Sequence, residues 1–111
     1  LEVCRASQLG AELRFDDLPL IDEAAALVRD GVATGASTRN WASYGEAVQL
    51  AADAPEWQRK LITDPQTSGG LLVACAPNAV DAVLETVREV QGSEARVIGR
   101  LLAGAAGVRV L

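Results

Sequence analysis

The chain has 111 residues, half of them hydrophobic, and a mean hydropathy of +0.17, which suits one folded domain and is too apolar for a disordered segment. Ten Lys and Arg against fifteen Asp and Glu leave a net charge of −5, without the basic stripe that a nucleic-acid surface needs. The absence of His removes Ser-His and Cys-His nucleophile pairs. No stretch approaches the roughly 18–20 apolar residues that cross a bilayer, and no secretory leader is evident. Neither nucleic acid nor membrane is therefore expected as a partner, and the expected compartment is the cytoplasm.

In chain order, LEVCRASQLG reads as an amphipathic helix stopped by Gly10, and AELRF as a strand from Ala11 to Phe15. DDLPLID is a turn, in which Asp22 is placed to cap DEAAALVRD, a helix ending at Gly31. Asp16, Asp17, Asp22 and Glu23 fit a solvated turn and a helix start better than an acid-base pair. Gly31 to Gly45 is the one linker-like stretch, and EAVQLAA fits either a strand or a helical turn. PEWQRKLIT starts a helix at Pro55 that Pro65 must end, with Trp57 on its core side. GLLVACA, Gly70 to Ala76, is an unbroken apolar run of strand length, expected mid-sheet. Asn78 is expected to cap AVDAVLETVREV, whose Val80, Val83, Leu84 and Val87 form one stripe before Gly92 ends it. ARVIGRLLAG and GVRVL read as two strands in a hairpin turning at Gly104 to Gly107, with Arg96, Arg100 and Arg109 at polar or edge positions.

These elements make an α+β fold, helices layered on a mixed, mainly antiparallel sheet, and the low aromatic content of 4% leaves its core to Ala, Leu and Val. Cys4 and Cys75 are too few for a disulfide framework or zinc site and read as small core residues.

Two loops carry the chemistry. In DPQTSGGLLVA, Asp64 to Ala74, Pro65 drives Asp64 out of helical backbone, Gly69 and Gly70 leave their amides bare and permit φ > 0, and Thr67 and Ser68 add hydroxyls. Converging amides and hydroxyls make an anion-binding concavity, although a plain tight turn has the same composition. Asp64 either coordinates magnesium or, the favoured role, bonds the following amides and holds the loop. GVATGASTRNWASYG, Gly31 to Gly45, is the second loop. There Arg39 either grips a phosphate with its planar fork or pairs with an acid that pins the loop. Asn40 orients Arg39 or the backbone, and Trp41 and Tyr44 are placed to cover a ligand or seal a domain contact.

Together, TGASTRNWASYG and DPQTSGGLLVA resemble the carboxy-terminal half of the selenophosphate synthetase (selenide, water dikinase) family, related to aminoimidazole ribonucleotide synthetase. DPQTSGGLL is highly specific for that family and TG…RN…YG moderately so. The likeness runs over essentially the whole chain: LEVCRASQLGAELRF resembles the helix and strand after the inter-domain segment, and ARVIGRLL the closing strand. It implies that residues 1–111 are the carboxy-terminal domain of a two-domain synthetase making selenophosphate, AMP and orthophosphate from ATP, selenide and water. It further implies ATP and Mg2+ in the full-length enzyme with neither tightly bound by this part alone. The implied partners are an amino-terminal nucleotide-binding domain and a second copy of the enzyme.

The same likeness places the reactive Cys or selenocysteine, its Lys and most metal-binding aspartates in the amino-terminal domain, so no catalytic residue is assigned here. Thr34, Arg39, Asn40, Thr67, Ser68, Gly69 and Gly70 are the phosphate or substrate-loop candidates, and the two loops are expected close together. Two alternatives stand beside this reading: a non-catalytic anion-binding or regulatory module, and a related ATP-dependent synthetase with another acceptor. An apolar surface for a partner to bury is also expected.

Overall fold

A computed structural model describes residues 1–66, 68–91 and 95–111. Helix α1 (Glu2–Ser7) stops before Gly10 because Gln8 turns left-handed, φ 56°, and donates its N–H to the Cys4 carbonyl. Leu9 and Gly10 then belong to β1 (Leu9–Leu13), and Phe15, expected in that strand, starts a 3-10 turn. Helix α2 (Ala24–Arg29) is entered through Glu23 at φ 67°, which takes the chain away from the cap geometry expected of Asp22. Gly31, at φ 91°, follows its end.

The Gly31 to Gly45 stretch is no linker. Ten of its residues form α3 (Gly35–Tyr44), because Thr34 stands extended and its hydroxyl accepts from the Ser37 N–H. EAVQLAA contributes both expected forms, a 3-10 turn at Gly45–Ala47 and then β2 (Val48–Leu50). Helix α4 (Glu56–Ile62) has Pro55 at its cap and ends three residues before Pro65. A 3-10 turn, Pro77–Ala79, takes in Asn78, so this residue does not cap α5 (Val80–Gln91). The stripe of Val80, Val83, Leu84 and Val87 is half-buried as its spacing predicts; the expected stop at Gly92 lies outside the described residues.

Strands β3 (Gly99–Ala103) and β4 (Gly107–Val110) complete a four-stranded sheet among the described residues, in the order β2-β4-β1-β3. The last two strands do not pair as a hairpin. Between them lies β1, antiparallel to β3 and parallel to β4, which is itself parallel to β2. The sheet is mixed as expected, but two of its three pairings are parallel. Insertion of β1 makes the Gly104–Ala106 connection cross the start of that strand. Gly10 leaves it room, since a Cβ there would stand 3.3 Å from the Ala105 carbonyl oxygen. Gly99 permits a still closer approach of β3 to the Glu12 carbonyl.

Alternation along the strands separates two faces. Ala11, Leu13, Val48, Leu50, Val108 and Val110 share the apolar one. On the other, Arg100, Glu12 and Arg109 stand in register, with Arg100 Nη2 at 2.8 Å and Arg109 Nη1 at 3.9 Å from the Glu12 carboxylate. Cys4, Phe15 and Val110 are buried; Phe15 meets Trp57 of α4 edge-on at 5.4 Å, and the Arg29 guanidinium of α2 covers the same ring at 4.2 Å. Cys75, expected in the core, is exposed.

That exposure follows from a larger departure. Gly70–Ala76 forms no strand, and Leu71 is 89% exposed, Leu72 65% and Val73 54%. An apolar run becomes a central strand only when neighbours pair both its edges and layers cover both its faces, and no described strand pairs with it.

Candidate functional site

The two loops singled out in the sequence meet at the start of α3. Pro65 keeps Asp64 from continuing α4, and the Asp64 carboxylate instead reaches across to the helix cap. The Thr34 hydroxyl donates to Asp64 Oδ1 at 3.0 Å, while the Ser37 hydroxyl lies 3.5 Å from the same oxygen and 3.3 Å from Thr34 Oγ1. Thr34 thus does two things at once: its lone pair caps α3 and its proton ties α3 to Asp64. Among the described residues the partners of Asp64 are hydroxyls of the other loop and not the amides that follow it.

One turn further along α3, Asn40 Nδ2 donates to the Thr63 carbonyl oxygen at 2.8 Å. Asn40 therefore holds backbone, the second of its two expected roles. Thr63 returns its own hydroxyl to the Arg59 carbonyl at 2.8 Å and is 3% exposed; Ser37 is 1% exposed. Ser37 and Thr63 are members of this network that the sequence reading did not select. Thr34-x-x-Ser37 at a helix start was the visible signal for the first, and nothing local pointed to the second.

Arg39 is treated differently by the fold. It is exposed, lies over the first turn of α3 with Nη1 3.6 Å from where a Cβ on Gly35 would stand, and pairs with no carboxylate among the described residues. The loop-pinning ion pair is not formed, and Asp64 does that pinning through hydroxyls. A guanidinium at the amino end of a ten-residue helix adds a full charge to the partial positive charge of the exposed first-turn amides.

Of the other loop's candidates, Ser68, Gly69 and Gly70 are exposed, and Thr67 lies outside the described residues. Neither Gly69 nor Gly70 takes the positive φ expected; Gly31 and Gly104 do. What Gly69 provides is space, since a Cβ on it would stand 2.9 Å from Gln66 Oε1. The Trp41 ring lies against Gly45, and the Arg59 guanidinium stacks on it at 5.4 Å, joining α3 to α4. Trp57 packs into the core as its helical position predicts.

No set of three carboxylate or thiol side chains gathers into a metal site among the described residues.

Comparison with known proteins is consistent along the whole chain. Residues 1–111 match the model of the AIR synthase related protein, C-terminal domain. The chain is 51% identical over 111 residues to "Selenide, water dikinase" of Rhizobium meliloti (strain 1021), covering 100% of this chain and 32% of that relative. To the proteins of the same name from Paraburkholderia xenovorans (strain LB400) and Burkholderia pseudomallei (strain K96243) it is 49% and 52% identical, covering 100% and 99% of this chain and 31% of each relative. The chain spans about a third of the length of these curated relatives.

Proposed function

The chain belongs to the AIR synthase related protein C-terminal domain family, and from that premise we propose that it is the carboxy-terminal domain of a selenide, water dikinase. The complete enzyme would convert ATP, selenide and water to selenophosphate, AMP and orthophosphate in the cytoplasm, as a homodimer. One observation carries the assignment of a role to this domain: the Thr34 to Asp64 hydrogen bond, which holds the two donor-rich loops as one unit.

Each residue then has a defined task. Asp64, Thr34, Ser37 and Asn40 are positioning residues that fix the loop against α3. Arg39 is left unpaired so that its fork can meet phosphoryl or product phosphate oxygens bidentately. The Ser68 hydroxyl and the Gly69 and Gly70 amides would supply neutral donors, in the manner of a backbone anion nest. ATP supplies the phosphoryl group transferred to selenium. The contribution proposed for this domain is binding and charge stabilisation. Mg2+ would be held by residues outside this chain, and no step is assigned to it here.

The test is selenide-dependent formation of AMP and selenophosphate, followed by phosphorus NMR. The complete gene product is expected to form both and the 111-residue chain neither. A complete product that consumes ATP equally without selenide would overturn the assignment, as would turnover by residues 1–111 alone.

A further inference from the structure

On the polar face of the described sheet, Arg100, Glu12, Arg109 and Gln49 stand in one row, one residue from each strand. Glu12, whose side chain is 14% exposed, gives one oxygen to Arg100, which approaches it through Nε at 3.0 Å and Nη2 at 2.8 Å. Arg109 is left over. Its Nη1 stands 3.9 Å from the other Glu12 oxygen, beyond hydrogen-bond length, and the side chain makes no hydrogen bond among the described residues. Two residues back along their strands, Gly10 and Gly107 pair in register on the same face and put no side chain there. An open cleft of about 570 Å3 results, lined among others by Gly10, Gly107, Glu12, Gln49, Arg109 and Glu46. Glu46, on that wall, forms no ion pair with Arg109.

We infer that this cleft takes a carboxylate side chain from the amino-terminal portion of the same enzyme, which pairs with the Arg109 fork. The inference rests on the reading of the chain as the carboxy-terminal third of a longer protein. Chemistry selects the occupant. A phosphate or other multiply charged anion would meet the Glu12 and Glu46 carboxylates in the same cleft, whereas a single carboxylate needs only the one fork. A free carboxylate would gain too little, since one exposed ion pair holds almost nothing by itself; on the same chain it arrives at the high effective concentration of an intramolecular contact. The row of a second copy could offer only its Glu12, already held by Arg100.

Position agrees with this choice and gives it a consequence. Under the same reading the rest of the enzyme precedes Leu1, and α1, capped by Leu1, packs on β1 and β4, the strands that carry Glu12 and Arg109. The turn that places Glu46 on the cleft wall continues directly from α3, whose other end carries Thr34. A carboxylate seated at Arg109 therefore steadies one end of the helix whose opposite end holds the candidate anion site.

Side-chain hydrogen exchange in the unmodified complete gene product is the first test. The Arg109 Nε–H is expected to exchange about ten-fold or more slowly than that of free arginine, and exchange at the free rate would overturn the inference. Arg109→Lys then identifies the partner. A carbodiimide should join the introduced amine, as an amide, to an Asp or Glu that precedes Leu1 in the same copy, the reagent taking up the water as its urea. Peptide mass spectrometry on a mixture of light- and heavy-isotope-labelled protein reads both the partner and the copy. Linkage to Glu12 or Glu46 alone, linkage to a second copy, or no linkage in the folded variant would each overturn the inference. A gene product with no portion preceding Leu1, read from its mass, would overturn the parent reading itself and is distinct from each of those results.

Discussion

The segment from Thr63 to Ala76 changes character at Pro65. Before it, Asp64 and the Thr63 carbonyl, just past α4, are held by the side chains of Thr34, Ser37 and Asn40 at the cap and in α3, with Ser37 and Thr63 nearly inaccessible to water. After it, residues 68–75 are exposed and form no hydrogen bond with the described residues. A domain that stores its internal order in the first half and leaves the second half uncommitted has separated positioning from recognition. Loops that bind are drawn from the less stable parts of a fold, provided that something rigid holds their roots.

Substitutions on either side of Pro65 should therefore differ in kind. The largest effect is expected at Arg39, where Lys keeps the charge and loses the fork. Arg39→Lys in the complete enzyme should lower kcat/KM by about 10- to 100-fold, equivalent to roughly 1.4–2.7 kcal/mol. Its urea midpoint should not move, because the side chain has no ion pair among the described residues to lose; a stability loss that accounts for the activity loss would contradict this. Next comes Asp64→Ala, which strips an acceptor from the buried Ser37 hydroxyl and from Thr34 and should cost about 1–3 kcal/mol in urea denaturation.

On the open side, Leu71→Ser in the 111-residue chain should change stability by less than about 0.5 kcal/mol, as for an ordinary exposed position. A loss of 2 kcal/mol or more, on the order of a buried leucine truncation, would place that side chain in a core. The smallest effect is acid-linked. Lys60, by hydrogen bond and charge, and then Arg59 hold the Glu56 carboxyl below its ordinary value of 4.5, with Lys60 Nζ at 3.1 Å. A depressed carboxyl pKa stabilises the fold above the unfolded value and loses that contribution as pH falls through the folded one. Because Glu56 is fully exposed, Glu56→Gln should lower stability only slightly near neutrality, where the contribution is fully present, and leave it unchanged once the pH has fallen through the folded value, so that the acid limb of the profile flattens slightly.

The same division describes what the sequence disclosed. Helices with a cap and a stripe were legible: Pro55 and Pro65 bracket α4, and Val80, Val83, Leu84 and Val87 face inward on α5. Strand existence was legible for β1, β3 and β4. Strand neighbours were not, because alternation along one strand says nothing about which edge it meets; β1 came to lie between β3 and β4, where a hairpin was the local expectation. Gly31 to Gly45 looked like a linker because Gly, Ser and Asn have low helix propensity, yet one capping hydroxyl and tertiary contacts to α4 override that. Gly70–Ala76 failed in the opposite sense, since its composition reports what would cover it and not whether that cover is present. Thr34 and Asn40, both singled out in the sequence, hydrogen-bond to Asp64 and Thr63, which are 30 and 23 residues away, and those pairings had to be found in space.

The account depends on Thr34 and Asp64 acting as one unit across those two loops. A double-mutant cycle with Thr34→Ala and Asp64→Ala, read by urea denaturation of the complete enzyme, measures this directly. The predicted result is a coupling energy of about 1 kcal/mol or more, with the second substitution costing much less once the first is made. Strict additivity, with coupling within about 0.3 kcal/mol of zero, would mean that the loops fold independently and present no shared site.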